Sequence, residues 1–252
     1  MKKFLHIGCL CCFLFLLQKS SAQIVDMESQ RFHRDTTGWS GSLAANLSLS
    51  DFGQQVYAVN ANAHIQNQNK KNLYLLLGSY GFLKGAQQSF INYGFLHFRY
   101  NYKIDSVLRW EAFTQIQENA ITKIKSRILI GTGPRFKISG TKKLHLYAAS
   151  LVMHETDKET NNPGIINQWR NSSYLSLTFL PNERIELTTT TYYQPVLFDI
   201  ADYRLLNNIN FRIKASNKLA VNITWNYQFD STPAIGITKN TYTFNTGLEL
   251  DL

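Results

Sequence analysis

The chain has three cysteines, Cys9, Cys11 and Cys12, and none after them. All three lie in an apolar run over 4–17, preceded by Lys2 and Lys3 and followed by Ser20, Ser21 and Ala22. That order reads as an export signal over 1–22, cleaved before Gln23. The mature chain then has no thiol, which excludes disulfides and thiolate chemistry. A lipid anchor at Cys9, after Gly8, would leave an apolar stretch of only about five residues, too short for a signal core. The run over 4–17 is too short to span a bilayer as a helix, and no later segment reaches eighteen apolar residues, so a helical membrane protein is excluded. Losing Lys2, Lys3 and Lys19 from 26 basic residues leaves 23 against 17 acidic, a net of +6. No basic run or basic helix accompanies that charge, so nucleic acid is not an expected partner. Anionic lipid headgroups or a small anionic solute fit it better.

Several chemical signatures are missing too. Histidine is scarce, and His97, His145 and His154 are the candidates for acid–base work. No Gly-x-Ser-x-Gly elbow accompanies them, so an enzyme is not expected, and a membrane-embedded lipase is only a minor alternative. His154, Glu155, Asp157 and Glu159 form an acidic patch without calcium-loop spacing, and they read as a solvated loop. No metal site or cofactor is expected. Gly131, Gly133 and Pro134 fall inside a strand pattern, where glycine marks a bend or close packing rather than a phosphate cradle.

What is present is an alternation of apolar and polar residues from residue 39 to the end. The clearest stretch is Leu219, Val221, Ile223, Trp225, Tyr227 and Phe229, interleaved with Ala220, Asn222, Thr224, Asn226 and Gln228. Successive strand residues point to opposite faces, so such a segment has one greasy and one polar face. The pattern predicts an all-β, antiparallel, up-and-down transmembrane β-barrel of about twelve strands over 39–252, after a polar periplasmic lead-in over 23–38. The strands are expected at 39–50, 54–67, 72–82, 89–102, 107–119, 125–139, 144–154, 171–180, 184–194, 203–215, 219–229 and 241–252. Alternate connections are short and rich in turn residues. Those over 154–170, 195–202 and 230–240 are expected to be long loops on the opposite side. Trp39, Tyr80, Phe82, Tyr100, Tyr102, Tyr192, Tyr193, Tyr203, Tyr227, Phe229 and Tyr242 stand near strand ends, as interfacial girdles would. Asn245, Gly247, Leu250 and Leu252 resemble the terminal signal read by the barrel assembly machinery, with Leu252 where an aromatic is usual.

Charge is expensive on a lipid-facing wall, so the polar phase is assigned inward. It includes His64, His97, Arg99, Arg109, Glu111, Arg127, Arg135, Lys137, His145, Glu186, Arg204, Arg212 and Glu249. Arg99, Arg109, Arg127, Arg135, Arg204 and Arg212 would supply a positive lumen, with Glu111, Glu186 and Glu249 pairing some of them. One reading is a narrow passive channel or solute-binding barrel that prefers anions. The alternative is a structural or interaction barrel with a plugged lumen, presenting the 154–170 loop to a partner.

Three runs are specific enough to compare with a family: Leu96-His97-Phe98-Arg99-Tyr100-Asn101-Tyr102, Trp110-Glu111-Ala112-Phe113-Thr114-Gln115-Ile116-Gln117, and Arg127-Ile128-Leu129-Ile130-Gly131-Thr132-Gly133-Pro134-Arg135-Phe136. With Gly38-Trp39-Ser40-Gly41-Ser42-Leu43 and Glu155, they resemble the uncharacterised Gram-negative barrels called salt-induced outer-membrane-like proteins. The resemblance covers about 38–160. It implies an outer-membrane β-barrel among outer-membrane lipids and brings no activity and no catalytic residues.

Overall fold

The structure is a computed structural model that describes residues 37–51, 55–85, 88–216 and 219–250, without the side chains of 88–91, 249 and 250. The signal segment, nearly all of the lead-in and the terminal Leu252 lie outside them. Twelve strands follow in chain order: β1 (Gly38–Asp51), β2 (Gln55–Gln68), β3 (Asn72–Gly85), β4 (Gln88–Lys103), β5 (Leu108–Asn119), β6 (Ile124–Gly140), β7 (Leu144–Glu159), β8 (Ile165–Asn182), β9 (Ile185–Val196), β10 (Asp199–Lys214), β11 (Leu219–Asp230) and β12 (Asn240–Leu250). They form one antiparallel sheet in which each strand pairs with its neighbours in sequence. The expected twelve-stranded up-and-down order is therefore present.

Closure is not. Among the described residues, β1 and β12 are the two edges of an open sheet, without a ladder between them. Nearly every residue of β1 is exposed, on both faces. Its inward side chains, among them Ser42, Ala44, Asn46 and Ser48, are small and offer little surface to pack across the lumen.

The strands run longer than expected where their ends carry charge. Residues 154–159 continue β7, and 165–170 begin β8, so the expected 154–170 loop is a turn over 160–164. Likewise 199–202 belong to β10, which leaves 197–198 as the connection. Among the described connections only 231–239 is long. The expected loop asymmetry thus reduces to one segment. Apolar alternation stops near these strand ends, but the backbone ladder does not.

At the opposite end, the turn residues act as expected. Asn69 Oδ1 accepts from the backbone N–H of Lys71 and Asn72 at 3.0 and 2.7 Å. Asp105 Oδ1 accepts from Val107 and Leu108 at 2.7 and 2.8 Å. Asn182 Oδ1 accepts from Arg184 and Ile185 at 2.9 and 3.1 Å. Each side chain satisfies amides that the ladder leaves free, as Asx turns do.

One face of the sheet is apolar and exposed; Leu47, Ile130, Leu175 and Phe244 lie on it. Exposed aromatics occupy both its ends: Trp39, Tyr74, Tyr102, Trp110 and Phe179 at the turn end, and Tyr57, Trp169, Tyr193 and Tyr242 at the other. Their rings touch between strands, with Tyr74–Tyr100 at 5.0 Å and Tyr203–Phe229 at 5.3 Å. Tyr192 departs from the expected girdle; it is buried on the opposite, inner face. That inner face carries the polar phase, and the sheet curls around it.

Asn182→Ala should lower stability by about 1 kcal/mol, the net worth of a typical hydrogen bond. A urea titration of the refolded protein measures it, and an unchanged midpoint would show that the turn holds without its side chain.

Candidate functional site

The inner face is layered. In β7 the inward phase is Ala149, Leu151, Met153, Glu155 and Asp157, all buried. The two carboxylates lie in phase with the apolar residues, so they enter the interior rather than a solvated loop. In β8 the matching phase is Arg170, Ser172, Tyr174, Ser176 and Thr178, also buried.

Glu155 is 1% exposed. Three guanidinium groups converge on it: Arg127 Nε at 3.0 Å, Arg170 Nε at 2.9 Å and Arg204 Nη1 at 2.8 Å. These arginines stand on β6, β8 and β10. Each reaches a second carboxylate as well. Arg127 binds Asp157 through Nε and Nη2, Arg170 Nη2 lies 3.0 Å from Asp202, and Arg204 Nε lies 2.9 Å from Asp230. Arg170 Nη1 also donates to the Gln194 carbonyl at 3.1 Å. This upper layer holds three arginines against four carboxylates.

A lower layer surrounds Glu111, which is fully buried. Arg99 Nη1 and Arg135 Nη1 approach its two oxygens at 3.6 and 3.5 Å. Tyr174 Oη donates to Glu111 Oε2 at 2.6 Å from three strands away. Arg135 stacks on the Tyr147 ring at 3.9 Å, and Arg109 lies 5.7 Å from the same ring. Arg99 Nε donates to His97 Nε2 at 3.3 Å, and His97 Nδ1 meets Gln115 Oε1 at 2.9 Å. Gln115 passes the chain on to Gln117.

Between the layers lies an apolar cluster of Phe113, Ala149, Leu151, Met153, Tyr174, Tyr192 and Leu206, with Leu129 against it. Gly131 makes room for it. A Cβ there would stand 2.5 Å from the Phe113 ring, and one on Gly133 would stand 2.4 Å from the Ser150 carbonyl oxygen. Both glycines therefore mark close packing, as expected. Beside the cluster is a chamber bordered by inward residues from β4 through β11.

Above the upper layer, the 231–239 segment crosses the mouth. Lys123, in the β5–β6 turn, donates from Nζ to the Ile235 carbonyl at 2.7 Å. Asp230 N–H donates to the Lys239 carbonyl at 2.9 Å, closing the base of the strap.

The structure gathers Arg99, Glu111 and Arg135 in one layer and Arg127 and Arg204 in the other. Arg109 adjoins the lower layer. Arg212 and Glu186 share a register position farther down, away from both. Glu249 stands opposite Ala220, and its side chain lies outside the described residues. The expected carboxylate partners are therefore corrected in part. Glu111 pairs with arginines, while the upper arginines pair with Glu155, Asp157 and Asp230. The unexpected members are Arg170, Tyr174, Asp202 and Asp230, together with Glu155 and Asp157 in a new setting. Extending the period-two phase through the charged strand ends would have found them, since Glu155 and Asp157 follow Leu151 and Met153 in step. Of the histidines, His154 instead packs against Trp169 on the outer face, with ring centroids 4.9 Å apart.

A family model described as "Protein of unknown function, DUF481" matches residues 35–251. The chain belongs to the DUF481 family. No curated protein matches it. Among solved structures, the NanC porin is 10% identical with a TM-score of 0.48, over 83% of this chain and 99% of that one. A bacterial polysaccharide outer membrane secretin is 8% identical with a TM-score of 0.46, over 84% and 89%. The TodX monoaromatic hydrocarbon channel deltaS2 mutant is 12% identical with a TM-score of 0.43, over 86% and 81%.

Glu155→Ala would leave three buried guanidinium groups facing one another. The expected loss is about 3–5 kcal/mol, the usual cost of removing one partner from a buried ion pair. The temperature at which folded-form gel mobility disappears should fall accordingly, and an unchanged temperature would contradict the central role of Glu155.

Proposed function

We propose that this protein is an outer-membrane β-barrel and a narrow passive channel for small solutes. The observation that carries this reading is the unequal inner wall. β4 to β11 bear the two ion-paired layers and the apolar cluster, and β3 adds the buried Leu75 and Leu77. Over 42–48 of β1 and 241–247 of β12 the inward groups are small and uncharged: Ser42, Ala44, Asn46 and Ser48, with Thr241, Thr243, Asn245 and Gly247. Pairing β1 with β12 would close the barrel and leave a strip of hydroxyls and amides facing the filled side. Side chains fill eight-stranded barrels, whereas barrels of sixteen or more strands hold water channels. Twelve strands with one wall of small residues fall between these limits.

The outer-membrane placement draws on the exposed apolar face and its two aromatic ends, as expected of a wall in contact with lipid. The likeness of 95–135 to salt-induced outer-membrane-like barrels agrees with it. In this reading the protein is a conduit and no enzyme, assembled through its last strand. The arginines are held by carboxylates, so the lumen is not a bare positive wall, and anion preference should be modest.

In a planar bilayer, the refolded protein should give discrete conductance steps. Asn46→Trp or Thr243→Trp should reduce them several-fold, while the outward Thr246→Trp should leave them unchanged. A silent bilayer from protein with heat-shifted gel mobility would overturn the channel in favour of a plugged barrel. Lys123→Ala, which releases the strap at Ile235, should raise the conductance; an unchanged value would place the constriction elsewhere.

A further inference from the structure

We propose that the chamber beside the apolar cluster binds a small amphipathic monocarboxylate, an acid group carried on a flat or short apolar body. The inference rests on the inward lumen of the reading above but does not require conduction. Three charged side chains border the chamber, Arg99, Arg127 and Arg204, and no carboxylate does. The acids that pair with them, Glu111, Glu155, Asp157 and Asp230, lie outside its lining. Arg127 engages Glu155 and Asp157 through Nε and Nη2. Arg204 engages Asp230 through Nε and Glu155 through Nη1. Among the described residues, Arg127 Nη1 and Arg204 Nη2 have no protein acceptor. A guanidinium group held by two acids cannot turn away and keeps its remaining N–H groups in fixed directions. A planar carboxylate is the acceptor that matches such a fork.

The other lining explains the body of the ligand. Phe113, Tyr174, Tyr192 and Leu206 offer an apolar wall with flat rings. Gln117 and Gln228 flank the arginines without adding charge. A hydrocarbon would leave the guanidinium N–H groups without an acceptor, which is costly away from water. Acetate would leave the apolar wall wet. A dianion would bring a second charge towards Glu155, Asp157 and Asp230. One carboxylate on one apolar body satisfies all three constraints.

The test uses the refolded full-length mature barrel in detergent, titrated calorimetrically with benzoate, acetate and benzyl alcohol. Saturable one-to-one benzoate binding is expected, at least tenfold tighter than either comparison compound. Gln117→Glu places a carboxylate across the strand pair from Arg127, and it should weaken benzoate at least tenfold. Gln228→Glu should do the same from the other side, so one misfolded variant does not decide the matter. Heat-shifted gel mobility reports folding in every case. Non-saturable heats, equal affinity for all three probes, or benzoate affinity unchanged in both folded variants would overturn the proposal. Benzoate binding by a barrel that does not conduct would end the channel reading and leave this site standing. Conductance without benzoate binding would do the reverse.

Discussion

Glu155 accepts three guanidinium groups at once, and the curl of the sheet follows from where those groups originate. Arg127, Arg170 and Arg204 stand on β6, β8 and β10, so a single carboxylate ties strands that do not all lie side by side. Burying any one of these charges alone would cost far more than a hydrogen bond returns. Each arginine therefore carries a second acid, and the cluster is a network rather than a pair. Its register demands are strict. A one-residue slip in any contributing strand would turn its charged side chain out to the apolar face. The network thus specifies the alignment of half the sheet.

Beneath it, Glu111 and Tyr174 repeat the arrangement on a smaller scale, bridging β5 to β8. The apolar cluster between the two layers fills the interior on that side, and Gly131 is small so that Phe113 can lie across it. The result is an interior packed as a protein core from β3, where Leu75 and Leu77 are fully buried, to β10, and a wall of small groups on β1 and β12. These two edge strands lack the large inward side chains that draw β4 to β10 together, and they are the strands left without a mutual ladder. The chamber lies against the packed cluster, with Arg99, Arg127 and Arg204 on its border. Their pairing with acids matters for recognition, because an arginine held by its own carboxylates has lost its freedom before any ligand arrives.

The period-two alternation determined the strand number, the antiparallel order and the greasy outer face, because every strand obeys it regardless of its neighbours. Turn positions were equally legible, since Asn69, Asp105 and Asn182 cap their own local amides. The inward placement of Arg99, Glu111, Arg127, Arg135 and Arg204 also followed from phase alone. Tertiary structure decided who pairs with whom. Glu155 and Asp157 look like a charged loop because apolar alternation fades there, yet the ladder continues and the arginines of other strands complete them. Arg170, Asp202 and Asp230 were hidden for the same reason: charge at a strand end is ambiguous between solvent and interior until the opposite wall is in place. The crossing of the mouth by the strap, with Lys123 meeting Ile235, is a contact 112 residues apart in sequence, and no local pattern encodes it. Local periodicity fixes faces, whereas partners across a lumen depend on how far the whole sheet has curled.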